Sequence, residues 1–117
     1  MTFERYDVVV VPFPFTDRAS TIRRPALVLS DPAPFGKATG QCLLAMITRA
    51  ARSAWPFDVP ITDLASAGLS AGGVIRMKLF TLDQSLVLRQ IGALGEDDRA
   101  AVRAALAGHL GLGSEIG

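Results

Sequence analysis

Short apolar runs alternate with polar, proline- and glycine-rich breaks along this chain, and that rhythm predicts strands. Residues 8–12 (VVVVP) and 26–29 (ALVL) are too short for helices and are β-branched or aliphatic, which reads as buried strand. The first run does not alternate, so residues 6–12 are expected to form a central strand buried on both faces. Pro12 and Pro14 lack amide donors and are expected to end it. Residues 13–23, with Thr16, Asp17, Ser20 and Thr21, read as an exposed loop. A second strand is predicted at 24–30, where Pro25 is tolerated near the start. The stretch DPAPFGKATG, 31–40, reads as a loop or wide turn. A third strand follows at Gln41–Thr48, then a basic connection at 49–55 (RAARSAW).

The second half continues the pattern. Residues 57–61 form a short predicted strand hemmed by prolines. Residues 62–68 (TDLASAG) suit one helical turn, with Thr62 or Asp63 as cap and Gly68 as stop. A fifth strand is predicted at 73–80, with Val74, Arg76 and Lys78 on one face and Ile75, Met77 and Leu79 on the other. Residues 81–85 turn, and 86–94 (LVLRQIGAL) read as the last strand. Glu96–Leu110 is a clear helix: acidic residues open its positive end, and Val102, Leu106 and Leu110 recur every four positions. Five or six short strands and a C-terminal helix predict a mainly β domain, a small, strongly bent antiparallel barrel with the helix on one side. The pattern alone leaves an SH3-like barrel, an OB-like barrel and a small sandwich open.

Composition narrows the picture. The 117 residues suit a single domain, 1–117, with one modest core, and half of them are apolar. Net charge is +1, so any nucleic-acid role must rest on a local basic patch. Cys42 is the only cysteine, so no intrachain disulfide and no cysteine metal cluster can form; its apolar surroundings read as core. No apolar stretch approaches membrane-spanning length and the N-terminus lacks a signal pattern, so a cytoplasmic protein without a membrane partner is expected.

Candidate chemistry is sparse. His109 is the sole histidine, sits near the end of the helix and reads as a surface or capping residue, so no Ser-His-Asp or Cys-His arrangement can be built. There is no phosphate-cradling glycine loop and no metal-ligand spacing, so neither cofactor nor metal is expected. Arg23 and Arg24 are expected where a loop re-enters the sheet. Their forks either grip an anion such as a phosphate, or are solvated or bridged to Asp17 or Asp31. Thr48, at a strand end, taken alone would satisfy a local backbone group. A kit of Arg, Lys, Thr and Ser suits cleavage of RNA without a metal. The RNA brings its own 2′-hydroxyl nucleophile, and the protein need only orient it and stabilise charge.

VVVVPFPFTD followed by RRPALVLSD resembles the opening of the MazF/PemK family of toxin–antitoxin endoribonucleases. CLLAMIT, PFDVP and VIRMKLFTLD resemble its later strands, the last of them those of the PemK-like branch, so the likeness runs from about Tyr6 to Leu94. The resemblance implies an SH3-like barrel of the CcdB/PemK type. It implies a metal-independent, sequence-specific endoribonuclease toxin that cleaves single-stranded RNA by 2′-hydroxyl attack. It further implies a homodimer whose cleft binds RNA, and a cognate antitoxin with a segment that folds on binding.

Carried over by motif, Arg24 falls on the family's catalytic arginine and Thr48 on its catalytic Thr or Ser. Some members add an acidic residue close to an arginine of the late strand. Here Arg76 matches the arginine and Met77 stands where the acid is expected, which moves weight onto Arg24. Arg23, Arg49, Arg52, Arg76 and Lys78 are candidates for the RNA groove. Trp55 is either a base-stacking platform or a rim or dimer contact. Two other readings remain: a binding module without turnover on the same barrel, and a gyrase-inhibiting toxin on a related one.

Overall fold

Val8, Val9, Val10 and Val11 are all buried because their strand, β1 (Asp7–Phe13), separates two apolar cores. Val8 enters one core with Leu27, Ala45, Ile47, Ile75 and Met77, and Val9 and Val11 enter the other with Ala26, Val28, Cys42 and Leu44. Adjacent side chains of a strand point to opposite faces, so a strand with a core on each side cannot alternate in polarity. The structure is a computed structural model, and it describes residues 2–13, 22–49 and 55–112.

The other strands are β2 (Ile22–Val28), β3 (Gln41–Thr48), β4 (Val59–Pro60), β5 (Val74–Asp83) and β6 (Arg89–Ala93). They form one curled antiparallel sheet in the order β4-β5-β3-β2-β1-β6. A C-terminal helix, α3 (Glu96–Leu110), lays Val102 into the first core with Ala105 and Leu106 against it, as the four-residue spacing predicts for Val102 and Leu106, whereas Leu110, at the helix end, is exposed. Its buried Asp98 accepts the Thr62 amide at 3.1 Å, the Thr62 hydroxyl at 2.7 Å and the Asp63 amide at 3.0 Å, tying the helix start to the turn before α2 (Leu64–Ala67). Asp63 caps α2 by accepting the Ser66 amide, and Gly68 ends it at φ 75°, as expected. Cys42 is buried, and burial pushes its thiol pKa up. Among the described residues no helix is long and apolar enough to cross a membrane.

Several boundaries differ from expectation. Pro12 does not end β1; it pairs with Arg23, and the strand runs on to Phe13. The β1–β6 ladder stops at Val10↔Arg89, so Pro12 has a neighbour on one side only and its missing amide costs little. β2 consequently begins at Ile22, and Arg23 and Arg24 lie inside a strand, not at a loop junction. Pro14 and the polar residues Thr16, Asp17, Ser20 and Thr21 lie outside the described residues. Residues 31–40 are not loop: Asp31 caps a wide helical turn, Pro32–Gly36, that runs into α1 (Lys37–Thr39). The fourth strand shrinks to two residues. β5 extends to Asp83 because it pairs with β3 as far as Gln41, and a tight turn at Gln84–Leu86 delays β6 to Arg89.

Candidate active site

The site follows from where β2 and β3 part. Their pairing runs Val28↔Leu44, Leu27↔Ala45, Ala26↔Met46 and stops, and the next β2 residue, Pro25, has no amide to donate. Continuing the register two positions sets Arg24 and Thr48 at one level. Beyond the parting lies an open groove of about 950 Å³. Arg23, Arg24, Thr48, Arg49 and Arg76 line it together with residues 69–73.

Arg24 is held by an aromatic ring. Val11 pairs with Arg24 and Phe13 with Ile22, so Phe13 is diagonal to Arg24 on the same face. The Arg24 Cζ lies 5.4 Å from the Phe13 ring centroid. Its Nε is buried without a hydrogen-bond partner, and no carboxylate among the described residues pairs with it. A π face orients a guanidinium without neutralising it, so Arg24 brings a full positive charge to the groove.

Arg76 is held differently. Two extra residues, Met77 and Lys78, intervene between the pairs Ala45↔Leu79 and Met46↔Arg76, a bulge that re-aims this part of β5. Arg76 Nε donates to Asp58 Oδ1 at 3.2 Å and Nη2 to Oδ2 at 3.0 Å, a two-pronged ion pair. That fork is the main reason the Asp58 carboxyl lies below its usual range, with the Trp55 amide adding to it. It also raises the pKa of Arg76.

Lys78, on the same face of β5, places Nζ 4.5 Å from the Trp55 ring centroid. Trp55 is 39% exposed. Neither residue lines the groove, but the Trp55 amide donates to Asp58 at 3.1 Å, so this pair sits one carboxylate away from Arg76. Thus the structure gathers Arg23, Arg24, Thr48, Arg49 and Arg76 in one groove and sets Trp55 and Lys78 outside its lining. Arg52 lies outside the described residues.

Met77 is 2% exposed and points into the core shared with α3, as the alternation of β5 predicts. The carboxylate beside Arg76 comes instead from Asp58, which sequence reasoning passed over inside PFDVP. Its only signal was a lone acid in a short apolar run. The contact of Phe13 with Arg24 depends on strand register that no local pattern displays. Among the described residues no three His, Cys, Asp or Glu side chains converge as a metal group would require. Cationic forks, a hydroxyl and an exposed aromatic make a surface suited to a phosphodiester chain with unpaired bases.

The curled sheet, the covering helix and their order define the MazF fold. The chain belongs to the family of PemK-like, MazF-like toxins of type II toxin–antitoxin systems, which it matches over residues 4–110, and that family is known for endoribonucleases. Crystal structures from Deinococcus radiodurans are similar. A MazE–MazF complex matches at TM-score 0.74 and 29% identity, covering 95% of this chain and 98% of that one. MazF alone matches at TM-score 0.71 and 30% identity over the same shares. The Mycobacterium tuberculosis toxin MazF-mt6 shares the fold, with TM-score 0.66 and 23% identity over 89% of this chain and 95% of that one. No curated protein matches.

Proposed function

We propose that this toxin is a metal-independent, sequence-specific endoribonuclease that cleaves single-stranded RNA in the groove between β2 and β3. The observation that carries the reading is that Arg24 and Thr48 line one groove together with Arg23, Arg49 and Arg76. The RNA 2′-hydroxyl attacks the adjacent phosphorus and the 5′-oxygen leaves, so the products end in a 2′,3′-cyclic phosphate and a 5′-hydroxyl. Arg24 meets the charge that builds on the phosphorane, a contribution worth about 3 kcal/mol for one well-aimed donor. Its charge is available because, among the described residues, Phe13 and no carboxylate holds it. The Thr48 hydroxyl holds a phosphate oxygen. Arg23, Arg49 and Arg76 bind the backbone, Lys78 adds a cation beside it, and Trp55 stacks a base.

The same reading gives the toxin a cognate antitoxin and a second copy of itself as partners. Support comes from the similar D. radiodurans protein, which was crystallised as a MazE–MazF complex. The test compares wild type with Arg24→Ala on mixed-sequence RNA in excess EDTA, with product ends mapped. Discrete cuts with 5′-hydroxyl ends, lost in a folded Arg24→Ala protein, are expected. Intact RNA after incubation with folded, antitoxin-free wild type would overturn the reading.

A further inference from the structure

Asp58 holds two parts of the surface at once. Its Oδ1 accepts Arg76 Nε, and its Oδ2 accepts both Arg76 Nη2 and the Trp55 amide. Arg76 lines the groove, whereas Trp55 carries Lys78 on its ring outside the lining. The turn between them is closed a second time, because the Asp58 amide donates to the Trp55 carbonyl at 3.1 Å. Phe57 makes this turn possible at φ 64°, a conformation uncommon for a bulky residue. Its ring stands edge-on to His109, 6.1 Å between centroids, and rests against Gly108, so α3 anchors the turn.

A carboxylate beside a groove for a polyanion is costly unless its oxygens are engaged, and here both are. The neutral Arg76–Asp58 pair can therefore set direction while Arg24 supplies net charge. We propose that Asp58 is a positioning residue that sets Arg76 and the Trp55–Lys78 pair in one register, so that a single strand with a phosphate at Arg76 presents a neighbouring base to the Trp55 ring. This deepens the RNA reading of the groove and rests on it.

Trp55 is the only tryptophan, so its emission reports this place alone. Wild type and Asp58→Asn are titrated with a labelled, uncleavable 2′-O-methyl single strand, binding being followed by anisotropy and stacking by Trp55 quenching. Cleavage kinetics are then measured on the matching RNA. Wild type binds with quenching. Asp58→Asn is expected to bind within about threefold of wild type, since losing a negative charge offsets the lost order. Its quenching is expected to fall by about half or more. Its kcat is expected to fall ~10-fold or more with KM little changed.

Arg76→Lys keeps the charge and loses the fork, and it should reproduce the pattern; the double variant should be no worse than either single. Wild-type quenching and kcat in a folded Asp58→Asn protein would overturn the proposal. So would kcat losses that merely follow the unfolded fraction in both variants. The two readings separate cleanly. Quenching that depends on Asp58 without any RNA cleavage supports the register and overturns the ribonuclease; cleavage with quenching indifferent to Asp58 does the reverse.

Discussion

The Arg24 guanidinium carbon stands 5.4 Å from the Phe13 ring centroid, and no described carboxylate competes for it. Phe13→Leu keeps apolar bulk and removes the π face. Cleavage should fall ~10-fold as Arg24 loses its orientation, while stability changes by about 1 kcal/mol or less. Paired single-turnover kinetics and urea unfolding check both halves. Unchanged cleavage would mean that the ring is packing only.

Thr48 separates hydroxyl from shape. Thr48→Val is nearly isosteric and should cost about 100-fold in kcat, in line with loss of one aimed donor. Thr48→Ser should retain most activity. If valine and serine behave alike in single-turnover assays, the hydroxyl takes no part.

Arg23 and Arg49 are exposed in the groove lining. Replacing either by Gln should reduce the steepness of log affinity against log salt by about 0.7 per lost phosphate contact on a single strand. Binding to an uncleavable oligonucleotide over a salt series measures this directly. A slope equal to wild type would place that arginine off the RNA path.

Asp98 joins α3 to the α2 turn with three donors on a side chain 2% exposed. Asp98→Ala strands those donors and should destabilise by about 3 kcal/mol. The urea midpoint should drop at unchanged slope, and the groove chemistry of the remaining folded protein should persist.

The fork from Arg76 depresses the folded-state pKa of Asp58. A carboxyl with a lowered folded pKa adds stability above its unfolded pKa and loses it as pH falls through the folded value. Wild type should therefore lose melting temperature more steeply than Asp58→Asn below about pH 4, with the two curves parallel near neutrality. Parallel curves throughout would mean that the ion pair does not persist in solution.

Much of the architecture was legible in local pattern. β3, α2 and α3 stand where periodicity and caps put them, because each signal is contained in a few neighbouring residues. The faces of β5 were equally readable: Ile75 and Met77 are core, and Arg76 and Lys78 are not. Arg24 in RRPALVLS and Thr48 in CLLAMIT, distant in the chain, line the same groove. Boundaries failed where the deciding fact was distant. Pro12 stays within β1 because β6 has already ended, which nothing near Pro12 reveals.

The sequence by itself determined a mainly β fold with a C-terminal helix, its two-sided first strand and the residue types available for chemistry. Only the tertiary structure decided which of those residues meet. Parting of β2 from β3 at Pro25 opens the groove, the β5 bulge aims Arg76 at Asp58, and register sets Phe13 under Arg24. The physical reason is that strand pairing joins residues far apart in the chain. Asp58 and Arg76 are 18 positions apart, and the contact is set by the register of two ladders, which residue type and spacing do not encode.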